Sequence, residues 1–336
     1  MIVISRTDVE QALDGREREV IALVADAYRR HDQGVNRLPH SVFLRFPDND
    51  RDRIIALPGY LGGARPVAGV KWISSFPDNV ERGLPRASAC IVLNDLTDGT
   101  PAALVEGSLI SARRTAASAA LAAAQLYAGE PPTRLGLIGV GVINREVLRF
   151  VLAGFPTITE VIAFDTRPDA VTGFAAEWAD VVHTRHVDDP RAVLAQTSLV
   201  SIATTASRPW LRLDACRPAA VVLHLSLRDV EPASVLDCRN VVDDVDHVCR
   251  ERTSVELAAR LANGTGFIDT TIGRVLRAGT KPDGANRVTL FSPFGLGVLD
   301  LAVAGYVLER ARDDGFGQHI PDFSSTTRGA PAAQTV

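Results

Sequence analysis

Arg134-Leu-Gly-Leu-Ile-Gly-Val-Gly-Val-Ile-Asn-Arg-Glu-Val-Leu148 decides the fold of this chain. A short apolar run breaks at Gly139 and Gly141 and passes into a helical pattern, so the stretch reads as strand, tight glycine turn and helix. Such a turn lets backbone N–H groups approach a pyrophosphate, while the positive end of the helix dipole faces the negative charge. The next apolar run, Thr159-Glu-Val-Ile-Ala-Phe-Asp165, ends in an acid about 20 residues beyond Asn144, the spacing of a carboxylate that accepts from an adenosine ribose. Asn144 replaces the third glycine of the G-x-G-x-x-G pattern, so the fingerprint is a variant one. Gly139, Gly141, Val142, Ile143, Asn144 and Asp165 are the expected cofactor-binding positions. Asp165 repels a 2′-phosphate and favours NAD over NADP, while Arg167 leaves NADP open.

Around this turn the chain has 336 residues, enough for two domains sharing an interface. It is 46% hydrophobic with a formal net charge of −4 and no long basic cluster, which points away from nucleic acid and anionic membranes as partners. The first residues, Met1-Ile-Val-Ile-Ser-Arg, turn charged too soon for a signal peptide or a membrane span, and a cytoplasmic protein is expected. Cys90, Cys216, Cys238 and Cys249 lack metal-ligand spacing and read as small buried hydrophobes.

Helices are expected over Thr7–Leu13, capped by Ser5, and over Glu17–His31. The β-forming runs Ser41–Phe46, Arg53–Leu61, Val67–Ser74 and Ala87–Asn94 predict a mostly antiparallel unit. The alanine-rich helix Ser108–Tyr127 stops at Gly129-Glu-Pro-Pro132. Beyond Asp165, helices and strands alternate to a last strand near Arg287–Pro293, followed by the helix Leu296–Arg312. The fold class is α/β: a Rossmann-type doubly wound domain plus a β-rich α+β domain. The polar stretch Asp313–Val336 reads as disordered, or at most folded back on the first domain.

A family resemblance becomes specific away from the glycine turn. Gly69-Val-Lys71-Trp-Ile, Gly83-Leu-Pro85, Leu93-Asn-Asp95-Leu-Thr-Asp-Gly99 and Ile110-Ser-Ala-Arg-Arg114-Thr-Ala-Ala-Ser118, followed by the nucleotide fold, resemble the ornithine cyclodeaminase/μ-crystallin family. The similarity runs from about Ser5 to about Leu308. It implies a substrate-binding and dimerisation domain over 1–129 completed by the helix at 296–320, a dinucleotide domain over 130–295, a disordered tail from 321, NAD as cofactor and a homodimer. Within the family, Leu57-Pro-Gly-Tyr-Leu-Gly-Gly63, Arg86-Ala-Ser88, the turn ending in Ile-Asn144, His224-Leu-Ser-Leu-Arg-Asp229 and Ser292-Pro-Phe-Gly-Leu-Gly-Val-Leu-Asp300 resemble the dehydrogenases of 2,3-diaminopropionate formation. That narrower resemblance implies an amino-acid substrate, N-[(2S)-2-amino-2-carboxyethyl]-L-glutamate, split to 2-oxoglutarate and L-2,3-diaminopropionate. The alternatives are a cyclodeaminase that recycles NAD internally, an alanine or imino-acid dehydrogenase, and a non-catalytic crystallin-like protein.

Residue types make the same point chemically. Guanidinium forks hold a carboxylate in a fixed plane. Arg45 and Arg114 match the family's carboxylate-binding positions, and helical geometry lets only one of Arg113 and Arg114 face the cleft. Lys71 matches its active-site lysine and sits in an apolar strand, where a lone ammonium is costly without a partner. Asp229 matches the acid for proton transfer, and Thr204 and Thr205 match the loop under the cofactor. Arg86 is expected to meet an additional substrate carboxylate. His224 reads as a structural histidine, and Asp300 as an acid compensating the dipole of the last helix. For a cyclodeaminase, Glu106 and Asp95 are the acids on offer for a distal ammonium.

Overall fold

The structure of the protein, a computed structural model, describes residues 1–279 and 286–323. Ser5 caps α1 (Arg6–Leu13) through a capping box with Asp8, and α2 (Glu17–Asp32) buries Val20, Val24, Ala27 and Tyr28. Before them comes β1 (Ile2–Ile4), and after them β2 (Val42–Phe46), β3 (Asn49–Leu61), β4 (Val67–Ser75), β5 (Ala87–Asn94) and β6 (Pro101–Glu106). With β15 (Gln318–His319) they form, among the described residues, a seven-stranded sheet in the order β15-β1-β6-β5-β4-β3-β2. Only β1 and β6 run parallel in it.

Register positions the functional side chains on this sheet. Leu57, Lys71, Ile91 and Val105 form one cross-strand row, and Arg45, Arg53, Ser75 and Ala87 another. Positions 53 and 57 of β3 are an even number apart, so both rows face the same side of the sheet. They lie about 13 Å apart along the strand. That side is covered at the Lys71 end by α3 (Ser108–Leu126) and α11 (Gly297–Asp314). On the opposite face Val42 and Trp72 stay exposed.

The second sheet has eight parallel strands among the described residues, ordered β13-β12-β14-β11-β10-β7-β8-β9. They are β7 (Arg134–Ile138), β8 (Glu160–Phe164), β9 (His183–His186), β10 (Leu199–Ile202), β11 (Val221–His224), β12 (Arg239–Val242), β13 (Ile268–Thr271) and β14 (Thr289–Ser292). The helices α4 (Val142–Gly154), α5 (Pro168–Glu177), α6 (Pro190–Gln196), α7 (Pro232–Asp237), α8 (Val245–Val248), α9 (Ser254–Leu261) and α10 (Ile272–Ala278) connect them. Every residue of β10, β11 and β14 is buried, as continuous apolar runs covered on both faces should be. This is the Rossmann-type doubly wound sheet, and its carboxyl ends line one edge.

The structure also supplies elements that the residue pattern did not announce. The short runs β1 and β6 become strands only by pairing with each other and with β5. Gln318 and His319, inside the stretch read as a polar tail, fold back and pair with Val3 and Ile2. The expected disorder from 321 falls largely on residues 324–336, outside the described residues. Cys238 is buried as expected, whereas Cys90, Cys216 and Cys249 are only partly so.

Candidate active site

Because the second sheet is parallel, the segments that leave β7, β10, β11 and β14 emerge side by side. Gly139 follows β7 with φ +83°, and a side chain there would run into the carbonyl oxygen of Ala203 beyond β10. Only glycine permits that conformation and that approach together. Gly141 has open space around it, Val142 is 68% exposed, and α4 begins with no side-chain cap. The first N–H groups of α4, at Val142 and Ile143, therefore lie at an open helix terminus that suits a pyrophosphate. Asp165 leaves β8 beside them, accepting from the N–H of Val140 (3.0 Å) and of Arg167 (3.0 Å). An uncapped terminus, an open glycine and a poised carboxylate fit a dinucleotide.

Asn144 is placed differently from its expected role at a cofactor. Its side chain is fully buried and donates to the carbonyls of Ile138 (3.2 Å) and Gly139 (2.6 Å), while Ser201 Oγ donates to its Oδ1 (2.7 Å). It ties the glycine turn to β7 and β10, a job a third glycine could not do, and its side-chain atoms are committed to the protein.

The first sheet brings Lys71 and Arg114 together around Asp300. Lys71 Nζ donates to Asp300 Oδ2 (2.7 Å) and Ser111 Oγ (3.3 Å), and Arg114 Nε donates to Asp300 Oδ1 (3.1 Å). Lys71 is 2% exposed and Asp300 not at all. Burial, and secondarily Arg114, push the Lys71 ammonium down to about 8 against the opposing pull of Asp300. Two cations and one carboxylate leave one net positive charge, with one Lys71 N–H and several Arg114 N–H groups in surplus. Such a set can receive one substrate carboxylate. Asp300 does compensate the first turn of α11, as its position suggests, but its larger role is as counter-ion to both cations.

Asp243 is a second acid that the residue pattern did not single out. Buried after β12, it accepts from the N–H groups of Phe294 (2.8 Å) and Gly295 (2.7 Å). Gly295, at φ +93°, lies against the Arg114 guanidinium, where a Cβ would come within 2.8 Å of Nη1. Asp243 thereby presses the segment after β14 onto the carboxylate site. Its only signal in sequence is an acid following an apolar strand.

Asp229, expected to take a proton from the substrate amine and later help activate water, is fully buried and already served by donors. Thr204 Oγ1 and Trp210 Nε1 (3.2 Å) donate to Oδ1, Ser226 Oγ donates to Oδ2, and His224 Nε2 lies 3.5 Å from Oδ2. Burial pushes this carboxyl up, but the bonds from His224, Ser226 and Thr204 outweigh it and hold the group below the usual carboxylate range. The donors Thr204, Trp210 and Ser226 tie the loops after β10 and β11 to Asp229, which stands there as an ionised carboxylate. Thr204 is spent on Asp229, and Thr205 is exposed beside it.

Arg45 and Arg86 do not join the Lys71 cluster. Arg45 is in the row two steps outward, donating to Glu251 Oε2 (2.8 Å), and Arg86 leads into β5 at the same end. Glu106 and Asp95 are occupied locally: Glu106 accepts from the N–H groups of Ser108 (2.7 Å) and Leu109 (3.1 Å), and Asp95 from that of Thr97 (2.8 Å).

Fold and site together define a two-lobed Rossmann-type protein, with a buried carboxylate-accepting cluster beside the carboxyl edge of its nucleotide sheet. The chain belongs to the ornithine cyclodeaminase/mu-crystallin family, whose sequence pattern matches residues 1–315. It is 27% identical to the N-((2S)-2-amino-2-carboxyethyl)-L-glutamate dehydrogenase of Staphylococcus aureus, across 94% of this chain and 97% of that protein. It is 26% identical to the alanine dehydrogenase of Archaeoglobus fulgidus, across 96% and 98%. The solved structure of Thermococcus litoralis Delta(1)-pyrroline-2-carboxylate reductase in complex with NADH and L-proline superposes with a TM-score of 0.88 at 27% identity, covering 95% of this chain and all of that one.

Proposed function

We propose that this protein is an NAD-dependent oxidoreductase acting on the C–N bond of an amino acid. Its substrate in this reading is N-[(2S)-2-amino-2-carboxyethyl]-L-glutamate. The observation that carries the reading is the Lys71–Asp300–Arg114 cluster, whose single surplus charge and unused donors suit an α-carboxylate. The relatives support it: the dehydrogenase named above acts on this conjugate by its name, and the other two act on C–N bonds of simpler amino and imino acids.

Gly139, Gly141, Val142, Ile143 and Asp165 would hold the dinucleotide. When bound, NAD accepts the hydride leaving the glutamate α-carbon. Lys71 and Arg114 orient the carboxylate on that carbon, and the Lys71 ammonium, pushed down to about 8, is poised to exchange a proton with the reacting nitrogen or with water. Addition of water to the resulting imine and collapse of the carbinolamine release 2-oxoglutarate and L-2,3-diaminopropionate. The sheet with Lys71 is the substrate lobe in this reading. The exposed Val42, Leu44 and Trp72 on its other face are where a homodimer would form.

A cyclodeaminase needs an acid for a second substrate ammonium. Glu106 and Asp95, the acids on offer for that role, already accept from backbone N–H groups of their own segments. The test is NADH formation with the conjugate, L-alanine, L-proline and L-ornithine side by side, with 2-oxoglutarate assayed as product. Accumulating NADH and 2-oxoglutarate are expected with the conjugate. Ammonia release from ornithine without net NADH would overturn the reading.

A further inference from the structure

Four arginines meet where the outer row of the first sheet approaches the segments after β11 and α8. Arg45 and Arg53 are direct cross-strand partners on β2 and β3, and Arg86 enters β5 next to Ala87, which shares their row through Ser75. Like charges placed opposite each other destabilise a strand pair. From the second lobe, Arg228 Nη2 donates to the backbone carbonyl of Glu251 (2.7 Å), whose carboxylate takes Arg45. The Nε of Arg86 is buried with no hydrogen-bond partner among the described residues. Burial, and then their mutual repulsion, push Arg53, Arg86 and Arg228 below the ordinary guanidinium range. Glu251 and Arg252 both sit in the left-handed region (φ 58° and 56°), a conformation non-glycine residues adopt at a cost. The fold thus gathers four guanidiniums near Glu251 at the outer end of this face of the sheet.

We propose that Arg53 and Arg228, with Arg86 and Arg45, form a second anion subsite that takes the distal carboxylates of the substrate, with Glu251 as the internal carboxylate that they displace. This rests on the reading of the substrate as a tricarboxylate. The subsite is on the same face of the sheet as Lys71, about 13 Å along β3, so one branched molecule can engage both ends. Its surplus positive charge selects for carboxylate number. Arg53 and Arg228 carry the proposal because neither donates to a side-chain carboxylate among the described contacts.

The test separates this subsite from the reaction. Calorimetric titration with tricarballylate, a tricarboxylate without an amine, is expected to show binding to the wild-type protein and at least tenfold weaker binding to Arg53→Gln and Arg228→Gln. Arg53→Lys and Arg228→Lys, which keep the charge and safeguard against misfolding, should fall between. With the conjugate as substrate, the Gln variants should raise KM at least tenfold and change kcat little. Equal tricarballylate binding by wild-type and Gln variants overturns the subsite, whether or not the conjugate yields NADH. Absence of NADH from the conjugate, with the binding difference intact, overturns the reaction instead and leaves the subsite standing.

Discussion

Lys71 and Arg114 grip the carboxylate of Asp300 deep in the protein, whereas Arg45, Arg53, Arg86 and Arg228 crowd a half-open seam near Glu251. The two ends of one sheet face obey different electrostatics. Inside, each charge must be paired, because desolvating an unpaired ion costs several kcal/mol, about what a whole domain can spare. The inner cluster is consequently fixed in composition and geometry, and it can orient a carboxylate beside a reacting carbon. At the seam, the Glu251 carboxylate and the partial exposure of its pair with Arg45 temper the repulsion, and a surplus of like charge is tolerable. That surplus counts substrate charges but does little to fix an angle.

The sharpest way to break this contrast is to remove the counter-ion at each end. Asp300→Asn leaves two cations buried without a partner, and a loss of about 3–5 kcal/mol in urea denaturation is expected. Glu251→Gln, at the seam, should change stability by no more than about 1 kcal/mol. Equal effects would show that the inner site is wetter than its geometry indicates.

Lys71→Met should separate function from stability. Asp300 keeps Arg114, and an apolar chain of similar length enters an apolar strand, so stability should be held or raised. The kcat/KM for the conjugate should nevertheless fall at least about 10²-fold, as expected when a proton-transferring and carboxylate-holding group is lost. Unchanged turnover would remove Lys71 from the chemistry.

These expectations mark what the sequence made legible. Gly139, Gly141 and Asp165 announced the nucleotide fold because backbone geometry and spacing leave few alternatives. Lys71 stood out because an ammonium between Val70 and Trp72 must be paired. The same reasoning applies to Asp300, an acid within Gly297-Val-Leu-Asp-Leu-Ala-Val303, yet its place in a first helical turn offered a sufficient local explanation and hid the longer-range one. Asp229 was legible only in part for a related reason. Its position after β11 is legible, but the donors from Thr204, Trp210 and Ser226 that hold it arrive from separate loops. Arg53 and Arg228 were invisible because each alone is an ordinary surface arginine. Only β2–β3 register and the approach of the Glu251 segment make them a cluster.

Proton concentration probes the inner end. Lys71 is pushed to about 8 in the folded chain from an ordinary value of 10.5. The folded state therefore sheds its proton first, and stability from this group rises with pH between about 8 and 10.5. Activity moves the other way, because the ammonium that holds the carboxylate is lost above about 8. A falling limb of kcat/KM centred near there is expected, and Lys71→Arg should move it out of range. A limb that stays in the arginine variant would belong to another group.

Salt should give the smallest effect and the finest discrimination between the two ends. Screening lengths shrink from about 10 Å at 0.1 M to about 3 Å at 1 M, and partly exposed charges feel this far more than buried ones. KM for the conjugate, which engages both ends, should rise a few-fold over that range. KM for L-alanine, if the enzyme turns it over slowly, should scarcely move, because its single carboxylate meets only Lys71 and Arg114, shielded by α3 and α11. The Arg53→Gln/Arg228→Gln double variant should lose most of the salt dependence seen with the conjugate. If both substrates respond alike, long-range attraction to the whole cleft explains the dependence, and the seam has no claim to count carboxylates.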